Sequence, residues 1–358
     1  MATSLLWCAI AILIAAIAPL AQQQPSPVYR IVDLGTLGGD SSEAAGINLF
    51  GDVIGTSALA NGKPHAFLYR AGRMVDLGTL TGGSESYGTA IADNGVIVGY
   101  SGINHYPYIA EFRHQGFIWQ EGTMREVGAL YCYCSSNRRY GDSRTLAVNN
   151  AGTAVGWSRA GGFATPTHAF RFQNGRLEDV GAPQSGEDQR GANGLDFYST
   201  AWGINDLGEI TGVVDGHAFL MRDGVRQELG VPPGFARSEG RAINGKGQVV
   251  GITVTASGMS RGFLWDLGTM RGLEPWPGDV SSEARAVNIY SDVVGRSGNA
   301  DFSTSRAMLW RSGVGVDLHT WVSDNSWTLQ VATAINNAGQ IVGTGRHNGQ
   351  TRAFLLQP

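Results

Sequence analysis

Aromatic, arginine and carboxylate residues are concentrated in three stretches of this sequence, residues 100–115, 129–144 and 182–199. Tyrosine rings beside guanidinium and carboxylate groups are suited to recognising sugars or peptides. The alternative is that these stretches pack only against themselves. The ligand-binding candidates within them are His105, Tyr106, Tyr108, Arg113, Tyr133, Arg138, Arg139, Tyr140, Asp188, Arg190 and Tyr198.

Three histidines are metal-ligand candidates by residue type. His65, His168 and His217 each open a His-Ala-Phe triplet, so they occupy the same position in different copies of a repeat. Equivalent positions of separate repeats meet at one metal only if they line a common axis. We therefore expect structural histidines and no metal site.

Carboxylates recur in Gly-Gly-Asp-Ser-Ser-Glu, with Asp40 and Glu43, and in its echo with Asp279 and Glu283. These groups could bind calcium, but they lack the alternating acidic spacing of a dedicated calcium loop. We expect turn and capping roles for them.

Cysteines suggest no redox chemistry. Cys8 lies in an apolar segment, and Cys132 and Cys134 are separated by one residue. A disulfide across one residue is strained and easily reduced. We expect a loop disulfide or two idle thiols rather than a metal site.

Enzyme motifs are absent from the sequence. It contains no Gly-x-Ser-x-Gly, no phosphate-binding Walker loop, no His-Glu-x-x-His and no dinucleotide fingerprint. No catalytic residue, metal or cofactor is therefore assigned. The alternative is a secreted hydrolase or lyase whose site lies at the axial mouth of the face that carries the loops of variable length, with turnover that depends on carboxylates such as Asp188 or Asp196.

These residues are positioned by an internal repeat. A segment of the type small-x-x-aliphatic-Asn-x-x-Gly-x-Val-Val-Gly occurs seven times with an average spacing of 48 residues. An Ala-Phe-Leu-Trp type segment and an Asp-Leu-Gly type segment follow in fixed order. The repeat-ending glycines are Gly55, Gly99, Gly156, Gly212, Gly251, Gly295 and Gly343.

Each repeat predicts four short strands, here a (small-x-x-Ile-Asn), b (Gly-x-Val-Val-Gly), c (Ala-Phe-Leu-Trp) and d (Asp-Leu-Gly). The chain opens with a lone d strand near Asp33 and ends with a c strand, Ala353 to Leu356. A ring would use the first strand to complete the last repeat, which removes exposed sheet edges. We therefore predict an all-β, seven-bladed β-propeller over residues 28–358 rather than a solenoid.

The recurring His-Ala-Phe, the Asp-Leu-Gly-Thr-Leu-Gly-Gly at residues 33–39 and the Ile-Asn-x-x-Gly segments resemble the bacterial extracellular HAF repeat family. The likeness spans about residue 28 to the C-terminus, and the literal triplet occurs three times. The resemblance implies secretion and a propeller-like repeat. It implies no activity and transfers no catalytic residue.

Spacing indicates which face of the disc carries the variable loops. The Asn position of strand a lies 7 residues before the last Gly of strand b in all repeats. The small residue of strand c lies 10 residues before the acidic position of strand d in all six repeats that are continuous in the chain. The b–c and d–a connections differ widely in length. In an up-down blade these two connections share a face, where binding residues are usually found.

One polar position recurs at the a–b turns of the opposite face. These asparagines could form a cation-binding ring. We favour the interpretation that each side chain holds its turn by an Asx-type hydrogen bond. Ala92 interrupts the series. The asparagines are Asn48, Asn149, Asn205, Asn244, Asn288 and Asn336.

The N-terminal segment indicates export. Residues 5–21 are almost continuously apolar and are followed by a polar linker, so we expect residues 1–24 to be a signal peptide or an N-terminal membrane anchor. No Lys or Arg precedes Arg30, and Pro19 gives a poor cleavage context. Membrane attachment is expected only if the segment is retained.

Composition narrows the function further. With a net charge of −4 and 16% charged residues, the chain is a poor candidate for phosphate neutralisation on nucleic acid. We expect an extracellular or periplasmic monomer without cofactor. It would bind a glycan, polymer or protein through its variable-loop face, and a structural protein without a discrete ligand is a further alternative.

Overall fold

The repeats fold into seven antiparallel sheets of four strands each. The computed structural model describes residues 29–103, 113–130, 142–159, 166–181 and 198–358. Blades one to seven are numbered in chain order. Blade one comprises β2 (Gly38–Ile47), β3 (Val53–Leu59), β4 (Pro64–Arg70) and β5 (Arg73–Asp76). Blade two comprises β6 (Ser86–Ile91), β7 (Ile97–Ile103), β8 (Arg113–Gln120) and β9 (Thr123–Glu126).

The next three blades repeat this order. Blade three comprises β10 (Ser143–Val148), β11 (Ala154–Arg159), β12 (Thr167–Gln173) and β13 (Arg176–Asp179). Blade four comprises β14 (Ser199–Ile204), β15 (Ile210–Val214), β16 (His217–Arg222) and β17 (Val225–Glu228). Blade five comprises β18 (Arg237–Ile243), β19 (Val249–Val254), β20 (Ser260–Asp266) and β21 (Thr269–Leu273).

The last two blades complete the ring. Blade six comprises β22 (Ser281–Val287), β23 (Val293–Gly298), β24 (Ser305–Arg311) and β25 (Val314–Asp317). Blade seven comprises β26 (Trp327–Ile335), β27 (Ile341–His347), β28 (Gln350–Gln357) and β1 (Arg30–Asp33). The predicted closure is confirmed, since β1 pairs antiparallel with β28. Each innermost strand also contacts the innermost strands of both neighbouring blades, so the disc is a closed seven-bladed propeller.

The turns of constant length have a local cause. Each continuous c–d connection centres on a residue with φ between 46° and 51° followed by a glycine with φ between 75° and 86°, as in Leu267-Gly268. Two left-handed residues form the tight turn whose twist matches a β-hairpin. The a–b and c–d turns form one face, here the fixed-turn face. The b–c and d–a connections form the opposite, variable-loop face.

In six blades a phenylalanine of strand c lies opposite the glycine that ends strand b, and Met308 takes its place in blade six. Phe219 of β16 is fully buried and lies opposite Gly212 of β15 and Glu228 of β17. A Cβ on Gly212 would lie 2.0 Å from the Thr200 carbonyl oxygen and 2.9 Å from the Phe219 ring. The repeat therefore requires glycine there because strand a and the aromatic ring leave no room.

Serines link successive blades. The Ser238 hydroxyl accepts a hydrogen bond from the Ala218 N–H at 2.9 Å and donates to the Gly230 carbonyl at 2.8 Å, both in the preceding blade. Six innermost strands carry a buried serine at this position, which is six residues before the Asn position. The six are Ser42, Ser86, Ser143, Ser199, Ser238 and Ser282.

Helical structure in the described part is limited to one 3-10 turn, Leu318–Trp321. Within those residues no helix has the length and apolar character needed to span a bilayer. The predicted signal peptide or anchor, residues 1–24, lies outside the described residues. The same is true of Cys8, Cys132 and Cys134.

Candidate functional site

All seven innermost strands contain a β-bulge at the same repeat position. The extra residue stands three before the Asn position, and a bulge redirects the side chain of its extra residue. All seven of these side chains line one axial cavity. Around the ring from blade one they are Ala45, Thr89, Leu146, Trp202, Arg241, Arg285 and Thr333.

The axial cavity is asymmetric because these seven side chains differ in size. Blades seven, one and two contribute threonine, alanine and threonine, whereas blades three to six contribute leucine, tryptophan and two arginines. The space left on the small side gives a cavity of about 830 Å³. It opens on the variable-loop face, since its lining includes the start of β2 and the b–c connection at Gly62.

Ion pairs order the wall formed by blades five and six. Glu283 is 6% exposed and lies 2.6 Å from Arg296 and 3.1 Å from Arg285. Burial alone would raise the pKa of Glu283, but Arg285, Arg296 and Arg241 outweigh it and hold that pKa below its ordinary value. Glu283 therefore remains ionised and is unsuited to donate a proton at neutral pH.

Trp202 and Arg241 extend this wall towards blade four. The guanidinium carbon of Arg241 lies 4.4 Å from the Trp202 ring centroid, which is a cation–π distance. Arg241 also pairs with Glu239 at 2.7 Å. Both side chains are therefore held in position by contacts within the protein.

Aromatic residues of blade two form the next part of the lining. Tyr87 stacks on Tyr100 with 4.8 Å between ring centroids, and the Arg144 guanidinium lies 4.5 Å from the Tyr100 centroid. His114 contacts the edge of Tyr100 and lies 3.1 Å from Glu85. Burial raises the pKa of both tyrosines, so their hydroxyls remain protonated at neutral pH.

The opposite axial mouth is structural. The Asn149 Oδ1 accepts from the backbone N–H groups of Ala151 and Thr153, and its Nδ2 donates to the Asn205 carbonyl of the next blade. The other five asparagines accept the same two bonds. The Asx-turn reading of the asparagine ring is confirmed.

The histidines of strand c pair with the carboxylates of strand d. His168 Nδ1 lies 2.7 Å from Asp179, and His65 Nδ1 lies 2.9 Å from Asp76. In blade six Arg306 takes the histidine position and pairs with Asp317. Among the described residues no group of three or more His, Cys, Asp or Glu could hold a metal ion.

Two sequence expectations about position need correction. Asp40, Glu43 and Glu283 do not cap turns, because they lie within the innermost strands β2 and β22, whereas Asp279 lies in the turn before β22. Arg113 lies in strand β8 rather than in a loop, and its side chain is outside the described part of the structure. Strand pairing extends the hairpin of blade two to Ile103 and Arg113.

Tyr198 is the one loop candidate whose side chain is described. It is partly exposed, and burial followed by the charge of Glu239 raises its pKa. A Cβ on Gly216 would lie 3.7 Å from both the Tyr198 hydroxyl and the Cβ of Arg237, so Tyr198 lies beside the start of blade five. The remaining candidates, His105, Tyr106, Tyr108, Tyr133, Arg138, Arg139, Tyr140, Asp188 and Arg190, lie outside the described residues and stay predictions.

The residues of the axial wall were not identified from the sequence. Their signal is present in the internal alignment of the seven copies. The positions six, four and two before the Asn position hold small residues almost throughout, whereas those five and three before it vary from alanine to tryptophan. Variable positions between constant small ones indicate side chains that face the axis.

No family model matches the chain, and no curated protein matches it in sequence. Among solved structures it is similar to YCF48 bound to D1 peptide, with TM-score 0.51, 10% identity and coverage of 93% of this chain and 97% of that one. This likeness shows the propeller fold alone.

Two other solved structures have TM-scores below 0.5. The β-propeller domain of the Trilobed protease from Pyrococcus furiosus has TM-score 0.44 and 9% identity, covering 88% of this chain and 95% of that one. A puromycin-hydrolyzing peptidase of Mycobacterium tuberculosis has TM-score 0.46 and 12% identity over 90% of this chain. The chain spans about half of that peptidase, 51%.

Proposed function

We propose that this protein is an exported, non-enzymatic β-propeller that binds a glycan, polymer or protein through its variable-loop face. The observation that supports this most is the position of the 830 Å³ axial cavity, which opens on the same face as the connections of variable length. A concave site of this size with a few fixed polar groups is typical of ligand binding.

The pairing of Glu283 favours binding over acid–base catalysis. Of the two glutamates that line the cavity, Glu283 is engaged by two arginines and Glu43 forms no ion pair within the described residues. Glycoside hydrolysis needs two carboxyl groups, one of them protonated, flanking the scissile bond. The hydrolase or lyase alternative would therefore need a second carboxyl group beside Glu43, such as that of Asp188 or Asp196, which lie outside the described residues.

Tyr29, the first described residue, lies on the face opposite the proposed site. Tyr29 stacks on Trp321, and its hydroxyl donates to the carbonyl of Gly339 in the a–b turn of blade seven. The chain thus enters at the fixed-turn face.

Membership of the HAF repeat family is part of the proposal. It is supported by the pairing of His65 and His168 with the acidic residue of the Asp-Leu-Gly segment, because this contact explains why the two motifs recur together. YCF48 is a propeller that holds a bound peptide, and a peptide segment of a protein is one of the ligand classes proposed for this chain.

A thermal-shift screen of the purified chain tests the proposal. The panel contains polysaccharides, peptidoglycan fragments and divalent cations, because a ligand that binds only the folded state raises the Tm. We expect a shift with one polymer class and its loss when Tyr106, Arg138, Arg139 and Tyr198 are replaced by alanine. A shift with calcium alone that this variant retains would contradict the proposal.

A further inference from the structure

The wall formed by blades five and six carries more positive than negative charge. Two glutamates are each paired with two arginines, and of these six residues Arg241, Arg285 and Glu283 line the cavity, so two guanidinium groups face one carboxylate on this side. The pairs are Arg237 and Arg241 with Glu239, and Arg285 and Arg296 with Glu283. Burial lowers the pKa of Arg296, and the positive charges of Arg285 and Arg241 lower it further. This is consistent with arginine charge that the glutamates do not fully neutralise.

Three hydrogen-bond donors of this wall have no acceptor among the described residues. The Nε atoms of Arg241 and Arg285 and the Nε1 of Trp202 are buried and have no partner in the described part of the chain. Arginine and tryptophan side chains only donate. Buried polar groups in proteins are usually satisfied, so these donors, together with the two guanidinium groups, favour a ligand that carries hydrogen-bond acceptors and negative charge.

The opposite side of the cavity offers an acceptor. Glu43 of blade one is exposed, lines the cavity and forms no ion pair within the described residues. Its neighbour Ala45 leaves the space in front of it open. An ionised carboxylate only accepts hydrogen bonds, so this side favours a ligand that carries hydroxyl donors.

We propose that the axial cavity recognises a uronic acid residue of an acidic glycan. The sugar carboxylate would lie against Arg241 and Arg285, and its hydroxyl groups would face Glu43. One uronic acid ring carries a carboxylate and several hydroxyl donors in one rigid unit, whereas an acidic peptide offers backbone N–H donors instead of hydroxyls and inorganic phosphate offers few donors beside its own charge. This inference rests on the proposed binding function of the variable-loop face.

Isothermal titration calorimetry of the full chain with tetragalacturonate tests the inference. We expect binding, with Arg285→Gln and Arg241→Gln each weakening it by about tenfold or more, because a charge-assisted hydrogen bond is lost. Arg271→Gln is the matched control, since Arg271 is exposed on the outermost strand of blade five. It should bind as the parent does, and all variants should keep their Tm within a few degrees.

The same titrations with a neutral hexose tetramer and with a glutamate tetrapeptide distinguish the outcomes. Equal affinity for the neutral tetramer would overturn recognition of the anion and leave the binding function intact. Arginine-dependent binding of the peptide without binding of tetragalacturonate would overturn the glycan class. Failure of tetragalacturonate to bind overturns the inference, while the thermal-shift screen judges the binding function separately.

Discussion

At the scale of single residues, the pairing of Glu283 has a consequence for stability against pH. Its folded pKa lies below the ordinary value of 4.5 because three arginines outweigh burial. A depressed folded pKa contributes stability above the unfolded pKa, and this contribution is lost as pH falls through the folded pKa. We expect part of the acid sensitivity of unfolding below about pH 4.5 to come from Glu283.

Glu283→Gln should therefore cost about 2 kcal/mol at pH 7 and flatten the acid limb of the stability curve. Glu274→Gln is the control, because Glu274 pairs with Arg261 at a side-chain exposure of 74%. It should change stability by less than about 1 kcal/mol. Urea unfolding between pH 3 and 7 measures both, and identical pH profiles for the two variants would contradict the account.

Within the His-Ala-Phe triplet, the phenylalanine should contribute most of the stability. Phe67 is fully buried, whereas His65 makes one ion pair near the surface and blade two has Gln115 at the equivalent position. We expect Phe67→Ala to cost about 3–5 kcal/mol and His65→Gln less than about 1 kcal/mol. Chemical denaturation measures the difference, and comparable losses would show that the ion pair matters more than the packing.

At the scale of the strand, the glycine that ends strand b is required by close approach. A Cβ on Gly251 would lie 1.9 Å from the Glu239 carbonyl oxygen, whereas one on Gly272 of the same blade meets nothing nearer than 3.7 Å. Gly251→Ala should cost more than about 3 kcal/mol or prevent folding, and Gly272→Ala should be tolerated. Circular dichroism melting compares them, and a well-folded Gly251→Ala would refute the packing argument.

Between blades, the buried serines should contribute measurably to stability. Ser238→Ala removes one acceptor and one donor at a site with 0% exposure, so a loss of about 1–3 kcal/mol is expected. Ser257, which is exposed in the b–c turn of the same blade, provides the control. Equal stability of Ser238→Ala and Ser257→Ala would mean that the serine links are dispensable.

The strands were predictable because their residues carry constraints that repeat. The pairing of Asp179 with Phe170 and of Glu228 with Phe219 follows from fixed spacing alone. The bulges were not predictable. In each blade, strand a has at least one residue more than strand b over the paired region, and the sequence does not show at which position strand a accommodates it. The direction of Trp202 and Arg241 towards the axis depends on that local irregularity, so these residues of the axial wall could not be identified from the sequence.

At the scale of the whole molecule, closure of the ring depends on the first strand. Tyr29 is 3% exposed and packs into the core of blade seven, and β1 covers the edge of β28. A chain beginning at residue 34 should lose at least about 3 kcal/mol relative to one beginning at residue 29, because buried side chains and a sheet edge are exposed. Equal melting temperatures for the two chains would contradict closure by this strand.

The asymmetry of the axial ring permits the most direct test of the binding site. Ala45 occupies the bulge position where blades three and four carry Leu146 and Trp202, so the fold already accommodates large residues there. Ala45→Trp fills the open side of the cavity and removes no polar group. Ala338→Trp is the matched control, since Ala338 is exposed at the fixed-turn position where blade four carries Leu207.

The decisive measurement is the thermal shift that the panel polysaccharides and peptidoglycan fragments induce in these two variants. The account predicts that Ala45→Trp keeps the parent Tm but loses the ligand-induced shift, and that Ala338→Trp retains both. A ligand-induced shift that survives in Ala45→Trp would place the ligand outside the axial cavity and contradict the central claim.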